Sequence, residues 1–576
     1  MNRYSAASMG NMPMRSEDTT RMGEREYLEK VKKRLACVID SRISDMNMNN
    51  ICWLTERAYD IRQHAVRNVV HLLQKCKSAD ICFVIDATSS MSGHIDGVKN
   101  SISKLVKDLV TPKIPWKPAS RPLDKLRVSC IAYRDHCDFN HFEFFYFSEN
   151  IRQFERFLGG LNATGGGDPP EDVLGGLWMA RSLDWSADSG VRLIFHIGDY
   201  PPHGNQFHDG SMGDSYPFGH PSDQPVEMIF KWMEDESINY CFGKITNYTN
   251  KMIAIFASHC STEFAVYDVE NPFNIADALN ESISATIDST IAKTKAPSTK
   301  AKLRVYKIKR ECPDWKTIKA APATIQSFKM PESIQDIIDD KPLVLTTSKQ
   351  NFFEVAPNPF AEGKERIAFY ARNVTTTRGK PLVAEELVCK EFKHVGKSEL
   401  IPYRYELLNE LQTVSSFLAF EFSKAIAKVD PKKTYTLKFL KVQTLKFIHG
   451  TRLMTAESKF VSDTNFFRFQ NNAGYAVLGE NAKKAGIDRK FVDLVMAFSH
   501  WTYSASRGFL MVVDLEGIVS KRDDGKTETL LTDPAIHCRD LTRFGSLNLG
   551  ETGMQMFFDT HQCKKYCKLL KLPQVQ

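Results

Sequence analysis

His500–Asp533 reads HWTYSASRGFLMVVDLEGIVSKRDDGKTETLLTD. Phe509–Val513 is a short apolar run of the kind that forms a buried strand, and Asp514 stands at its end. Open sheets place their chemistry at the mouths of strands. Glu516 lies two residues on, and Asp533 follows a polar, glycine-containing loop. Three acids near one point repel each other and need a metal cation or a proton donor between them. Magnesium, which takes oxygen ligands and accompanies phosphates, is the expected ion. For any one of these acids alone, a solvated strand end is the competing reading.

The tail adds His561, Cys563 and Cys567 at H-x-C-x3-C spacing. One more nitrogen ligand completes a closed tetrahedral zinc site, which is structural rather than catalytic; buried cysteines near a chain end are the alternative. HWTYSASRGFLMVVDLEG, LTDPAIH, FGSLNLGETG and FFDTHQCKKYC, in that order, resemble the C-terminal half of the alpha-kinase family. That family includes the myosin heavy chain kinases, the elongation-factor-2 kinase and the channel-linked kinases. The resemblance implies that His500 is the fourth zinc ligand, Asp514 the catalytic acid and Asp533 a magnesium ligand. The family usually has Gln where this chain has Glu516. A carboxylate also binds magnesium through oxygen, but it adds negative charge near the transferring phosphate.

Further upstream, Phe360–Ala371, with Gly363 and Arg366, resembles the family's phosphate-covering strand and loop. Lys390 in LVCKEF sits on an apolar strand, where a lysine is costly unless it meets anions, so it is expected on ATP phosphates. An edge-strand lysine is the competing reading. The helix Tyr405–Ala425 offers Glu410 to hold Lys390, with Glu406 and Gln412 as close competitors. Glu457 in MTAESKF matches the family position that meets the adenine, and Arg468 stands where the family often has Lys. Gly545, Gly550 and Gly553 form a glycine loop that in the family contributes to substrate contact. No Walker A, HRD or DFG pattern occurs, which argues against a P-loop ATPase and an ordinary protein kinase.

The first half of the chain has a different period. Ile81–Ile85, Arg127–Tyr133, Arg192–Ile197 and Met252–Ala257 read as buried strands with helical patterns between them, hence a parallel α/β sheet. Asp86, Thr88 and Ser90 lie on one strand-to-helix turn, Thr164 on a glycine-rich loop, and Asp199 after the third strand. Two acids and three hydroxyls make an oxygen-rich cage for a hard divalent cation. The pattern resembles the metal-ion-dependent adhesion site of von Willebrand factor A domains. That resemblance implies Mg2+ or Mn2+ with an open position for an acidic group of a protein ligand. A retained fold with a vestigial site is the alternative. His203, His208 and His220, in an insert rich in Gly, His and Pro, are expected to be exposed loop histidines.

With 576 residues the chain exceeds what one core usually supports. The expected order is an unstructured stretch to residue 22, a helical segment 23–77, a von Willebrand A-like domain 78–292, a linker 293–346 and an alpha-kinase domain 347–572. The fold class is thus multidomain α/β: a Rossmann-like parallel sheet, then a two-lobed atypical kinase fold with structural zinc. The helical segment is read either as an oligomerisation or docking element or as a helical pair packing onto the next domain. A net charge of +7, thinly spread, does not call for nucleic acid. No apolar run is long enough to span a bilayer and no signal peptide is read, so a cytoplasmic, non-transmembrane protein is expected. Thirteen scattered cysteines suit reduced thiols. The expected function is an ATP-, Mg2+- and Zn2+-dependent serine/threonine kinase acting on a protein substrate; a cytoskeletal substrate such as myosin heavy chain is implied by the resemblance alone. The alternative is a metal-dependent scaffold whose ATP-binding half turns over poorly.

Overall fold

The computed structural model describes residues 17–42, 44, 46–111, 123–210, 212–260, 264–276, 278–279, 282–283, 302–304, 306–362, 366–375, 384–395, 401–431, 435–460, 466–472, 489–521 and 527–574. These fall into two compact units, one of Arg67–Ala296 and one combining Met1–Val66 with Pro297–Gln576. No helix among the described residues is long and apolar enough to cross a membrane.

In the unit Arg67–Ala296, six strands form one sheet: β1 (Ser78–Asp86), β2 (Lys125–Tyr133), β3 (Phe142–Ser148), β4 (Val191–Gly198), β5 (Asn239–Lys244) and β6 (Ala265–Asp268). Their order is β3-β2-β1-β4-β5-β6, parallel except for β3. Eight of the nine β1 residues are buried, because helices cover both faces. Cys82 and Val84 pack against Val173, Leu177, Ile229 and Phe256 on one side, and Phe83 meets Phe154 on the other. The strand order reverses between β1 and β4, the place where doubly wound sheets open a crevice at their carboxyl ends. Asp86 ends β1 and Asp199 follows β4, so both acids stand at that crevice.

Met252–Ala257, expected as a strand, is helical (Asn250–Ser258). Met252 and Phe256, four residues apart, are its buried positions. A short apolar run carries no period of its own, so burial at that spacing decides. Leu279, Ile283, Ile287 and Ile291, at steps of four, predict a last helix running to about Lys293 that lies largely outside the described residues.

The other unit has two cores. In the first, Asn351–Val355, Arg366–Asn373, Glu385–Phe392, Leu453–Ser458, Gln443–Phe447 and Ala321–Phe328 pair in that order, and Asn351–Val355 also pairs with Ala321–Phe328, so the sheet closes on itself. Phe353, Phe369, Cys389, Leu445 and Met454 fill its interior. Ala321–Phe328 and Leu345–Thr347 are strands of this sheet, which corrects the expectation that 293–346 is a linker.

The second core surrounds Leu510–Val513, all four residues buried, with Ala535–Cys538 as its antiparallel partner. Helices Ile401–Val429, Arg489–Ala505 and Gly550–Thr560 supply Leu418, Phe422, Val495, Phe498 and Phe557. Helix Glu17–Ile39 begins inside the stretch expected to be unstructured. Its Val31, Leu35 and Ala36 pack on Leu54 and Ala58 of the next helix and on Tyr403. The helical pair therefore joins the unit that holds the C-terminal sheets.

Candidate active site and metal centres

Strand register sets the first half of the site. Lys390 pairs with Ala368 and Thr455, and Val388 pairs with Glu457. Because side chains alternate along a strand, Arg366, Lys390, Thr455 and Glu457 share the face opposite Phe369 and Cys389. The second half comes from two chain segments that both break at an aspartate. Glu516 pairs with Thr532, and Val513 pairs with Ala535. Asp514 and Asp533 sit in the two gaps with φ of 59° and 48°. Aspartate tolerates this left-handed conformation better than most residues, and each strand changes sheet there.

The halves meet on Asp533. Arg366 Nη2 lies 2.5 Å from Oδ1 and Lys390 Nζ 2.9 Å from Oδ2. Lys390 also pairs with Glu457, whose other oxygen accepts from Thr532 Oγ1 at 2.9 Å. Burial works against the Lys390 ammonium, but Asp533 and Glu457 outweigh it and raise its pKa. Burial likewise opposes the Asp533 carboxylate, yet Arg366 and Lys390 hold it below the usual carboxylate range. Glu516 differs: burial pushes it up to about 7, with Arg468 pulling down and Asp514 pushing up. Arg468 Nε donates to Glu516 Oε2 at 2.9 Å, and Asp514 Oδ1 lies 4.0 Å from Arg468 Nη2.

Glu410 is a correction. It sits 2.8 Å from Lys30, not on Lys390. The acids on Lys390 are Asp533 and Glu457, and for Glu457 only an adenine contact was expected. Gly363 lies outside the described residues.

Residues 361–567 match the model of the Alpha-kinase family. The chain carries an alpha-kinase domain. Alpha-kinases are protein kinases, so the protein is an enzyme of that class. It is 28% identical over 536 residues to Alpha-protein kinase vwkA of Dictyostelium discoideum, covering 90% of this chain and 80% of that one. It is 26% identical to Myosin heavy chain kinase B of the same organism, over 40% of this chain and 27% of that one. A solved alpha-kinase from Entamoeba histolytica aligns over 46% of this chain and 94% of its own, at 21% identity and a TM-score of 0.35.

The helix Arg489–Ala505 and the C-terminal segment bring together His500, His561, Cys563 and Cys567, with a ligand atom of each within 4.8 Å of the others. His500 Nδ1 lies 3.6 Å from Cys563 Sγ, and Cys567 Sγ 3.4 Å from His561 Nε2. His500 Nε2 meets the Pro573 carbonyl at 2.9 Å, which turns Nδ1 toward Cys563 as the nitrogen that could hold a metal. Burial and the neighbouring Cys563 push the Cys567 thiol up to about 12, so a thiolate there needs a cation. The donor set fits zinc.

At the β1–β4 crevice, Thr88 Oγ1 donates to Asp86 Oδ1 at 2.7 Å, and Ser90 Oγ to Asp199 Oδ1 at 3.1 Å. The two hydroxyls lie 3.1 Å apart. The Thr164 N–H donates to the Ala87 carbonyl, but among the described residues no hydrogen bond joins its hydroxyl to the other four. Sequence reasoning missed Glu171, a buried acid beside this group. Burial and Asp86 push it up to about 10, and burial and Asp199 push Asp86 to about 8. Asp86 Oδ2 is buried without a hydrogen bond. Three crowded carboxylates with an orphaned oxygen fit a divalent cation. His203 and His208 are buried, against the expectation of exposed loop histidines.

Proposed function

We propose that the protein is a serine/threonine kinase that transfers the γ-phosphate of ATP to a protein hydroxyl. The observation that carries this reading is the convergence of Arg366 and Lys390 on Asp533. Two cations held on one face by one carboxylate are placed to exchange that partner for phosphate oxygens. Asp514, 4.0 Å from Arg468 Nη2, takes the proton from the substrate hydroxyl. Asp533 and Glu516 are the oxygen ligands for Mg2+, which neutralises phosphate charge when bound. Glu457 orients Lys390 from behind, and the four tail ligands hold a structural Zn2+. The substrate class is protein, and a cytoskeletal one such as myosin heavy chain follows from the likeness to the myosin kinase alone.

Residues 78–292 are read as a von Willebrand A-type domain. Asp86, Thr88, Ser90, Asp199 and, through its loop, Thr164 hold Mg2+ or Mn2+, and an acidic group of a partner protein completes the ion's shell. Cytoplasmic residence suits the thirteen scattered cysteines.

The deciding experiment measures phosphate transfer from ATP to a myosin tail fragment and a generic basic protein. Wild type should phosphorylate at least one, and Asp514→Asn neither. Transfer by Asp514→Asn at the wild-type rate overturns the assignment. Wild-type silence on both substrates with intact ATP binding favours the scaffold reading. Pull-downs with and without chelator test the first domain, and elemental analysis of Cys567→Ala tests the tail zinc.

A further inference from the structure

We propose that the unit Arg67–Ala296 holds a second metal centre, separate from the β1–β4 crevice: a zinc-type divalent ion on His136, His141 and Asp172. His136 and His141 lie on the connection between β2 and β3, and Asp172 caps the helix Val173–Met179. His136 Nδ1 is 3.6 Å from Asp172 Oδ2, and one ligand atom of each residue lies within 4.8 Å of the others. His141 Nε2 approaches the same oxygen to 2.7 Å but outside hydrogen-bond geometry. The His136 side chain is 5% exposed. His136 Nε2 and His141 Nε2 are both buried without a hydrogen bond. Leaving a buried imidazole nitrogen in that state is costly; an ion held by His136 Nδ1, His141 Nε2 and Asp172 Oδ2 removes the cost at His141, while His136 Nε2 faces Asp223.

Ring geometry selects these three ligands among the neighbours. The His136 and His141 rings are inclined at 62°, which lets both aim in-plane lone pairs at one tetrahedral ion. His136 and His220 are instead stacked, 3.7 Å apart and 19° from parallel, so their lone pairs cannot converge. His203 is already used on both sides, by Asp135 and Asp214 at 2.8 Å each.

The outer partners are present too. Asp223 Oδ1 lies 3.4 Å from His136 Nε2, the position of the carboxylate behind a metal-bound histidine. The Gly175 N–H donates to the remaining Asp172 oxygen at 2.7 Å. Three protein ligands leave the fourth position for water, on the side where the His141 side chain is 27% exposed. The ion ties Asp223, at the end of the insert, to the β2–β3 connection through His136. It also fixes Asp172, and with it the adjacent Glu171 that faces Asp86.

The test uses the full-length protein, stripped with chelator and reloaded with Zn2+. A mercurial then displaces thiolate-bound zinc from the tail, so the zinc that stays belongs to a site without cysteine. Wild type should retain such an ion and His141→Asn should lose it. Asp223→Asn should bind it roughly 10–100-fold more weakly. Absence of mercurial-resistant zinc in wild type, or its full retention in His141→Asn, overturns the proposal. Should His141→Asn not fold, unchanged zinc affinity in Asp223→Asn overturns it. The mercurial-released fraction reports the tail site separately.

Discussion

The Lys30 ammonium lies 2.8 Å from Glu410 Oε1, joining the first helix to the long helix of the kinase core. Glu410 therefore anchors the N-terminal helical pair rather than Lys390. The same ammonium donates to Asp340 at 2.7 Å, and Arg62 reaches the carbonyls of Leu541 and Asn548 at 3.1 and 2.8 Å. Glu410→Gln should leave the KM for ATP unchanged and weaken docking of the pair by roughly 1 kcal/mol, since the ion pair is only partly shielded. Steady-state kinetics with limited proteolysis of residues 17–66 checks both halves. A raised KM for ATP would return Glu410 to the nucleotide site.

Asp340 is the centre of that docking. Lys30, Arg34 and Arg543 meet its carboxylate at 2.7, 2.7 and 3.2 Å. Burial opposes ionisation, but Arg543, Arg34 and Lys30 hold the group down to about 2. A folded pKa below the unfolded value near 3.9 binds fewer protons in the native state. Its contribution, on the order of 2–3 kcal/mol, is present above pH ~4 and lost as pH falls toward ~2. Asp340→Asn should remove that slope and cost roughly 3–5 kcal/mol at neutral pH, because three cations lose their shared partner. Denaturant melts of both proteins between pH 2 and 7 measure it.

Lys390→Ala should abolish phosphate transfer and also lower the melting temperature. The second effect runs against the simplest view of a lysine that only greets ATP. Its side chain is 13% exposed and paired with Glu457 and Asp533, so its loss strands two carboxylates with Arg366 as the nearest remaining cation. A cost of about 2–4 kcal/mol is expected from such a broken buried pair. Asp514→Asn keeps the tolerance for positive φ and should lose activity at nearly unchanged stability. Thermal melts of the two variants side by side separate the roles.

Much of this was legible in the sequence because it is carried by local pattern. The strand Leu510–Val513 followed by Asp514 and the H-x-C-x3-C tail are short-range features, and His500, His561, Cys563 and Cys567 do come together. Partner choice across the fold was not legible. Glu410, with Glu406 and Gln412 as competitors, was the acid expected on Lys390, and only strand register puts Glu457 on the right face. Glu171 was passed over because Asp168–Asp172 (DPPED) carries the acids and prolines of a helix start, and Asp172 does cap the helix Val173–Met179. That its neighbour turns toward Asp86 depends on the fold. Met252–Ala257 failed for the opposite reason: a six-residue apolar run fits a strand and a helix equally.

Glu516 and Arg468, two departures from the family's usual residues, face each other in register. Arg468 Nε donates to Glu516 Oε2 at 2.9 Å, so the added negative charge comes with a local cation. Glutamine at 516 can still accept that N–H through its amide oxygen while removing repulsion with Asp514. Glu516→Gln should therefore leave kcat similar or raise it, by less than about tenfold given one charge at a partly screened distance. Arg468→Ala should do the opposite in wild type, because Glu516 is then left without its guanidinium beside two further acids. In the Glu516→Gln background the same Arg468→Ala change should cost less, and the difference between the two losses measures the pair. Phosphate-transfer rates of the four proteins at fixed Mg2+ give that cycle. A large loss in Glu516→Gln alone would mean that the carboxylate is itself required at the metal, and that the pairing with Arg468 is secondary.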